Sequence, residues 1–169
     1  MKKHSQENIR ILLTNATCMY SMDCEYNKGS AAVGASAIKV LKKFLPYSEF
    51  ISLAQYSRSF AEIHNVRVIE NKTHSQSLRT FSLYSSLISS INLIRCFFWH
   101  LIYFYLNINI RRLVNNKILK EIYDADLIVD LSMDLYSDNL GTISMIEHSK
   151  DLLCGILLGK PTVVFAQSL

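Results

Sequence analysis

The sequence predicts a single Rossmann-like α/β domain, residues 1–169, in which helices flank a parallel sheet. Short β-branched apolar runs alternate with longer helical stretches, a rhythm typical of β-α-β units. The chain has 169 residues, 50% of them hydrophobic, which suits one domain with a substantial core. A net charge of only +4 on so apolar a chain excludes an intrinsically disordered protein.

The first half of the chain alternates strands with helices. Residues 9–14 are short, β-branched and apolar, and they predict a buried first strand. Residues 27–30 contain cap-type side chains and precede a run at 31–45 that ends before Pro46, which predicts a helix. The remaining elements expected in this half are strands at 49–53 and 66–69 and a helix at 57–64.

The second half departs from this rhythm before returning to it. Residues 75–119 contain no Gly or Pro, which predicts one long helix, or two helices with a break near 107–109. Residues 126–131 form an apolar run with an aspartate at its start and another near its end, and they predict the clearest strand of the chain. The last elements expected are a helix at 143–158, ended by Gly159, and a strand at 162–166.

The charges are distributed unevenly along the chain. Residues 1–120 hold 16 Lys and Arg against 6 Asp and Glu, whereas residues 121–169 hold 2 against 8. This asymmetry indicates a basic surface for an anionic partner and an acidic rim near the end of the chain. Because Arg-rich runs and RNA-binding signatures are absent, we expect no nucleic acid partner.

Cysteine usage and the N-terminus indicate the compartment. The four cysteines are scattered and form no C-x-x-C pair, which favours a reduced, intracellular environment. The first residues lack the pattern of a secretory signal. We therefore expect a cytoplasmic protein, peripheral at the inner face of the membrane for the reason given below.

Gly29 and Ser30 form the first candidate binding feature. A glycine followed by small residues at a helix start lets backbone N–H groups approach a phosphate or carboxylate. The alternative is an ordinary N-cap with close helix packing, because neither a G-x-G-x-x-G nor a Walker A pattern is present.

An aspartate series at the predicted strand 126–131 forms the second candidate. Asp130 and Asp134 belong at the carboxyl end of this strand, where open α/β sheets bind ligands. A carboxylate there can accept hydrogen bonds from sugar hydroxyls, act as a base or hold a metal. A purely structural role is the alternative for both Asp130 and Asp134. We interpret Asp126 as a cap at the start of the strand and Asp138 as a solvated loop residue.

Residues 87–106, within a longer helical segment at 75–120, are the most apolar stretch. On a helical wheel a polar and aromatic stripe that includes Trp99 occupies one face, and Leu, Ile and Phe cover the rest. With Arg95 in the helix and Arg111 and Arg112 following it, the segment suits docking on an anionic membrane. The alternatives are a core helix of a larger protein and a membrane span.

Other chemistry is not supported by the sequence. The histidines and cysteines have no metal-ligand spacing, so we expect no metal site. No G-x-S-x-G nucleophile motif occurs, and no cofactor-binding motif is present.

Three segments together resemble the polysaccharide pyruvyl transferase family. They are Asn-Lys-Gly-Ser-Ala-Ala at 27–32, Ala-Asp-Leu-Ile-Val-Asp at 125–130, and Leu-Gly-Lys-Pro at 158–161, which leads through a strand to Gln-Ser-Leu at 167–169. The resemblance covers the chain from end to end, but only as the N-terminal half of the family.

The resemblance implies a GT-B-like architecture of two Rossmann-type halves with the active site between them. The reaction moves the enolpyruvyl carbons of phosphoenolpyruvate, the donor substrate, onto a sugar of an envelope or exopolysaccharide. Asp130 and Asp134 would contact a glycan or lipid-linked sugar acceptor, Gly29 and Ser30 would shape the loop facing the cleft, and Gln167 and Ser168 would lie where the second half joins. No catalytic residue follows from the resemblance.

The chain departs from the family in two respects. Residues 132–137, Ser-Met-Asp-Leu-Tyr-Ser, stand where many members have a glycine-rich loop. The C-terminal half, with the basic residues expected to hold phosphoenolpyruvate, is missing, so these 169 residues alone should not turn over. Two rival interpretations remain: half of a nucleotide-sugar-dependent glycosyltransferase, and a non-catalytic membrane-associated binding domain.

Overall fold

The computed structural model describes residues 8–15, 28–53, 58–69, 83–131 and 142–165. It confirms an α/β fold with a parallel sheet and flanking helices, consistent with a Rossmann-like domain. The five strands are β1 (Arg10–Thr14), β2 (Glu49–Ser52), β3 (Val66–Val68), β4 (Leu127–Asp130) and β5 (Thr162–Val164). All five lie where the sequence predicts strands.

The strand order is β3-β2-β1-β4-β5, and every pair is parallel. This order is that of the doubly wound dinucleotide-binding fold, in which the connections diverge on either side of β1. The chain leaves β1 toward β2 and leaves β4 toward β5. The carboxyl ends of β1 and β4 therefore flank the switch point of the sheet, where such folds form a ligand crevice.

Five α-helices connect the described strands. They are α1 (Lys28–Phe44), α2 (Arg58–His64), α3 (Leu83–Leu106), α4 (Lys117–Asp124) and α5 (Thr142–Leu157), with a 3₁₀ turn at Arg111–Val114 between α3 and α4. Gly159, which follows α5, has a φ of 70°. This left-handed conformation is the usual way to end a helix with glycine, as the sequence predicts.

Of the two possibilities for the glycine-free segment, one long helix or two helices with a break near 107–109, the structure shows the second. After α3, Asn107 adopts a φ of 53°, a conformation that asparagine tolerates better than most residues. The helix resumes only at α4, whose N-cap Asn116 accepts a hydrogen bond of 2.7 Å from the Leu119 N–H. The break is thus longer than expected, and α4 continues past residue 119.

Side-chain alternation in the central strands builds one core on each face of the sheet. Ile11 and Leu13 of β1 point toward α1, where they pack with Ile38. Leu12 points to the opposite face, whose core is formed with residues of α3, α4 and α5. Central strands buried on both faces are expected for a parallel sheet covered by helices.

Charged side chains join the strands at the amino edge of the sheet. Glu121 of α4 accepts hydrogen bonds from Arg10 and Arg67, both at 2.9 Å. Glu49 at the start of β2 contacts the same two arginines, at 3.3 and 3.0 Å. This network lies at the opposite edge from the switch point, so its role is to hold strands and α4 together.

Candidate functional site

The switch point carries a buried polar cluster. Thr14 is the last residue of β1 and pairs in register with Asp130, the last residue of β4. Both side chains are fully buried, and the next residue, Asn15, is nearly so. Since Leu12 and Ile128 point to the α3–α5 face, period-two alternation places Thr14 and Asp130 on that face as well.

Asn15 connects the cluster to the helical layer. Its Nδ2 donates hydrogen bonds to Asp130 Oδ2 at 3.0 Å and to the His148 carbonyl oxygen of α5 at 2.8 Å. Asn15 has a φ of 54°, so the chain turns sharply as β1 ends. The turn aims the amide back across the sheet, and one side chain links β1, β4 and α5.

The Thr14 hydroxyl has no hydrogen-bond partner among the residues that the structure describes. Thr14 is fully buried, and leaving a buried hydroxyl unsatisfied costs about 1–3 kcal/mol in a folded protein. Such exceptions are rare in folded proteins, so this hydroxyl calls for an explanation. A polar ligand group at the carboxyl ends of β1 and β4 is one way to satisfy this hydroxyl.

The predicted binding residues are only partly within the described structure. Asp130 lies at the carboxyl end of β4, as predicted. Gly29 and Ser30 are in the first turn of α1 rather than in a loop, because the helix begins three residues earlier than expected. Asp134, Gln167 and Ser168 lie outside the described residues.

Sequence reasoning missed two members of the cluster, Thr14 and Asn15. Both follow the first apolar run directly, and the Asn that ends a buried strand is a signal for a left-handed turn. Their relation to Asp130 was not available from local pattern, since 115 residues separate Asn15 from Asp130.

A second polar cluster lies between α3 and α5. Lys150 of α5 is almost fully buried, and its Nζ donates to Ser90 Oγ at 2.9 Å and approaches Ser86 Oγ at 3.4 Å. These contacts fasten the N-terminal part of α3 to the middle of α5. The cluster positions the helical layer that covers Asp130.

The buried thiols of the core are unsuited to nucleophilic chemistry. Cys96 of α3 and Cys154 of α5 are both free and buried. A side-chain hydrogen bond with Cys96, together with burial, raises the pKa of Cys154 far above its usual range. Thiolates, not thiols, are the reactive species.

Within the described part of the chain, no group of three or more His, Cys, Asp or Glu could hold a metal ion.

The residues expected to dock on a membrane divide into two groups. Arg95, Arg111 and Arg112 are exposed. Trp99 is not at the surface, contrary to expectation: it is only 5% exposed, stacks on Tyr103 with centroids 4.9 Å apart and donates from Nε1 to Asn109 Oδ1 at 3.3 Å. The part of the stripe that contains Trp99 therefore faces the core, where Tyr103 stacks on the indole ring and Asn109 accepts its hydrogen bond.

Comparisons with protein-family models, with curated proteins and with solved structures find no match for this chain.

Proposed function

We propose that this domain binds a sugar acceptor at the carboxyl ends of β1 and β4, as the N-terminal half of a GT-B-like pyruvyltransferase. The observation that carries the proposal is the buried cluster at the switch point. It combines the Asp130 carboxylate, the Asn15 amide and the unsatisfied Thr14 hydroxyl on two adjacent parallel strands. Polar groups that converge at this position are typical of ligand sites in doubly wound folds.

The chemistry of the cluster suits a neutral polyol. Asp130 offers carboxylate oxygens that accept hydrogen bonds from sugar hydroxyls, and Thr14 offers a hydroxyl that both donates and accepts. Asp134 follows β4 and is proposed to contact the same acceptor. Gly29 and Ser30 lie in the first turn of α1, and the backbone N–H groups and dipole of a helix N-terminus favour an anion such as the phosphate of a lipid-linked or nucleotide-linked sugar.

The exposure of the edge strand β5 supports the proposal that a second half packs there. Strands of an all-parallel sheet are normally covered on both faces, yet Val163 and Val164 of β5 are 47% and 43% exposed. Gln167 and Ser168 follow β5, and we propose that they meet the second half here. That half would hold phosphoenolpyruvate. Two acceptor hydroxyls would bond to its C2 as the C2–O bond to phosphate breaks, and of the two hydroxyl protons one would pass to C3, which becomes a methyl group, and the other to the phosphate.

We therefore expect this chain to bind the sugar acceptor and not to bind the donor, phosphoenolpyruvate. Saturation-transfer NMR of this chain with methyl hexosides and nucleotide-linked hexoses should give transfer to the sugar ring, while phosphoenolpyruvate alone should give none. Asp130→Asn should abolish the sugar signal, because it removes the charge while keeping the volume. Signals from phosphoenolpyruvate but not from sugars would contradict the proposal.

Asp126→Asn is the matched control for this experiment. Asp126 lies just before β4, at the opposite edge of the sheet, where its Oδ2 accepts a hydrogen bond of 2.8 Å from the Arg10 N–H. This variant should leave sugar binding unchanged. Transfer to the nucleotide alone, with none to methyl hexosides, would favour the nucleotide-sugar-dependent glycosyltransferase instead.

A further inference from the structure

Helix α3 presents its apolar side chains outward. Its buried residues are Asn92, Cys96 and Trp99, which belong to the polar and aromatic stripe. The face turned away from the sheet carries large exposed hydrophobic side chains, namely Leu87, Ile91, Ile94, Phe97, Phe98, Phe104, Tyr105 and Leu106. A surface helix of a water-soluble domain normally has the reverse arrangement.

The exposure of α3 is too great for a core helix of the described domain. Residues Ser86–Leu106 are long and apolar enough to cross a membrane, and only 17% of the most apolar window is buried. Isolated exposed hydrophobic residues are normal on protein surfaces, whereas a contiguous apolar surface marks an interaction site.

Helix α5 extends the same apolar surface. Leu153 and Ile156 are exposed beside α3, and an open groove of about 410 Å³ runs between the two helices with an entirely apolar lining. Ile94 and Phe97 form its α3 wall. We call this continuous surface of α3 and α5 the apolar face.

Exposed basic side chains lie in and just after α3, and acidic ones are absent from the α3 segment, whereas α5 carries Glu147 and Asp151. Residues 71–120 contain seven Lys and Arg and no Asp or Glu. Arg95 within α3, and Arg111 and Arg112 just after it, are all exposed. Exposed aromatic rings, including Tyr105, lie in the last turn of α3, and the guanidinium of Arg111 lies over the ring of Tyr123. Aromatic rings beside cations are typical of side chains at the headgroup level of a membrane.

The packing of α3 fits a helix that lies on a membrane and does not span it. Near its N-terminal end, Ser90 accepts a hydrogen bond of 2.9 Å from the Lys150 Nζ of α5. Near its C-terminal end, His100 Nδ1 lies 2.9 Å from the Leu157 carbonyl oxygen of α5. A spanning α3 would have to break these contacts with α5.

We infer that the apolar face docks the domain on an anionic membrane, with α3 parallel to the bilayer surface. The apolar side chains enter the headgroup region, and Arg95, Arg111 and Arg112 contact lipid phosphates. This surface shares no residue with the cluster at the carboxyl ends of β1 and β4. Membrane docking and sugar binding can therefore fail independently.

Vesicle flotation of the chain tests the electrostatic part. The chain should float with phosphatidylcholine vesicles that contain phosphatidylglycerol, and much less with phosphatidylcholine alone. Arg111→Gln with Arg112→Gln should weaken partitioning about 25-fold, since each basic residue contributes roughly fivefold near an anionic surface. Lys39→Gln with Lys43→Gln is the matched control, because these exposed lysines lie on α1, which covers the other face of the sheet; it should lower partitioning far less.

Tryptophan fluorescence tests the apolar part. Trp99 is the chain's single tryptophan and is buried, so its emission should not change when anionic vesicles are added. Phe98→Trp introduces an indole at a half-exposed position, and its emission should shift to shorter wavelength on the vesicles. Phe98→Ser should retain the thermal stability of the wild type and lose most of its flotation.

Two results would overturn the inference. One is the absence of flotation with either vesicle while Trp99 reports a folded chain. The other is a dimer without lipid, detected by sedimentation velocity and dissociated by Phe98→Ser, because the apolar face would then bind a second copy of the chain.

Discussion

The side-chain amide of Asn15 donates a hydrogen bond of 3.0 Å to the carboxylate of Asp130. The two residues end neighbouring parallel strands, and a second hydrogen bond from the same amide reaches the main chain of α5. The Asn15 amide thus ties the carboxylate at the end of β4 to the end of β1 and to α5.

Asn15→Ala should lower the free energy of unfolding by about 2 kcal/mol, measured by urea denaturation. The variant loses two hydrogen bonds, one of them to a charged group, and places alanine at a φ of 54°. Asn15→Gly loses the same hydrogen bonds without the backbone strain, so it should cost about 1 kcal/mol less than alanine. Equal losses in the two variants would contradict the role assigned to the backbone conformation.

Thr14→Val should raise the free energy of unfolding by about 1 kcal/mol, because it replaces an unsatisfied buried hydroxyl with a methyl group of the same shape. The same substitution should weaken sugar binding, since the hydroxyl is proposed to contact the ligand. Stability from urea denaturation and affinity from NMR titration give the two readouts. A loss of stability would show that the hydroxyl is already satisfied in the free protein.

Gly155→Ala should destabilise the domain by about 1 kcal/mol, despite the better helix propensity of alanine. A Cβ at this buried position of α5 would overlap the Cδ1 of Ile128 in β4. Ile128→Val removes that methyl group at a cost of about 1 kcal/mol by itself. In the Ile128→Val background, Gly155→Ala should become neutral or stabilising; the same effect in both backgrounds would contradict the contact.

Stability should fall as the pH drops through about 6.5 and below, in part because of His64. Burial, and then the charge of Lys42, lower the pKa of His64 below 6.5 in the folded state. The unfolded state therefore binds more protons below pH 6.5, and protonation favours unfolding. His64→Gln should flatten this part of the profile of urea midpoints, and an unchanged slope would contradict the assignment.

Strand positions and the helix break could be predicted from the sequence, because each depends on the residue types of a short segment. Strands β1 and β4 are apolar and β-branched, so their positions and the location of Asp130 at a strand end followed from composition. The break after α3 followed from Asn107 and its neighbours. These features depend on a few adjacent residues, and local chemistry decides them.

The relations missed are those between distant residues. Nothing near Asn15 indicates that its amide meets Asp130, because register across the sheet decides this contact. The helical wheel separated the two faces of α3 but not which of them meets the sheet. Trp99 lies inside because Tyr103, Tyr123 and Asn109 surround and satisfy it, and those partners come together only in the fold.

The most direct test of the proposed sugar site is a two-dimensional amide NMR titration of the chain with the methyl hexoside that gives the strongest saturation-transfer signal. The account predicts that the largest shift changes cluster at Thr14, Asn15, Asp130 and Leu131, and that the same titration of Asp130→Asn leaves these amides unchanged. Shift changes that map instead to the apolar face, or to the arginine network at the amino edge, would contradict a ligand site at the carboxyl ends of β1 and β4.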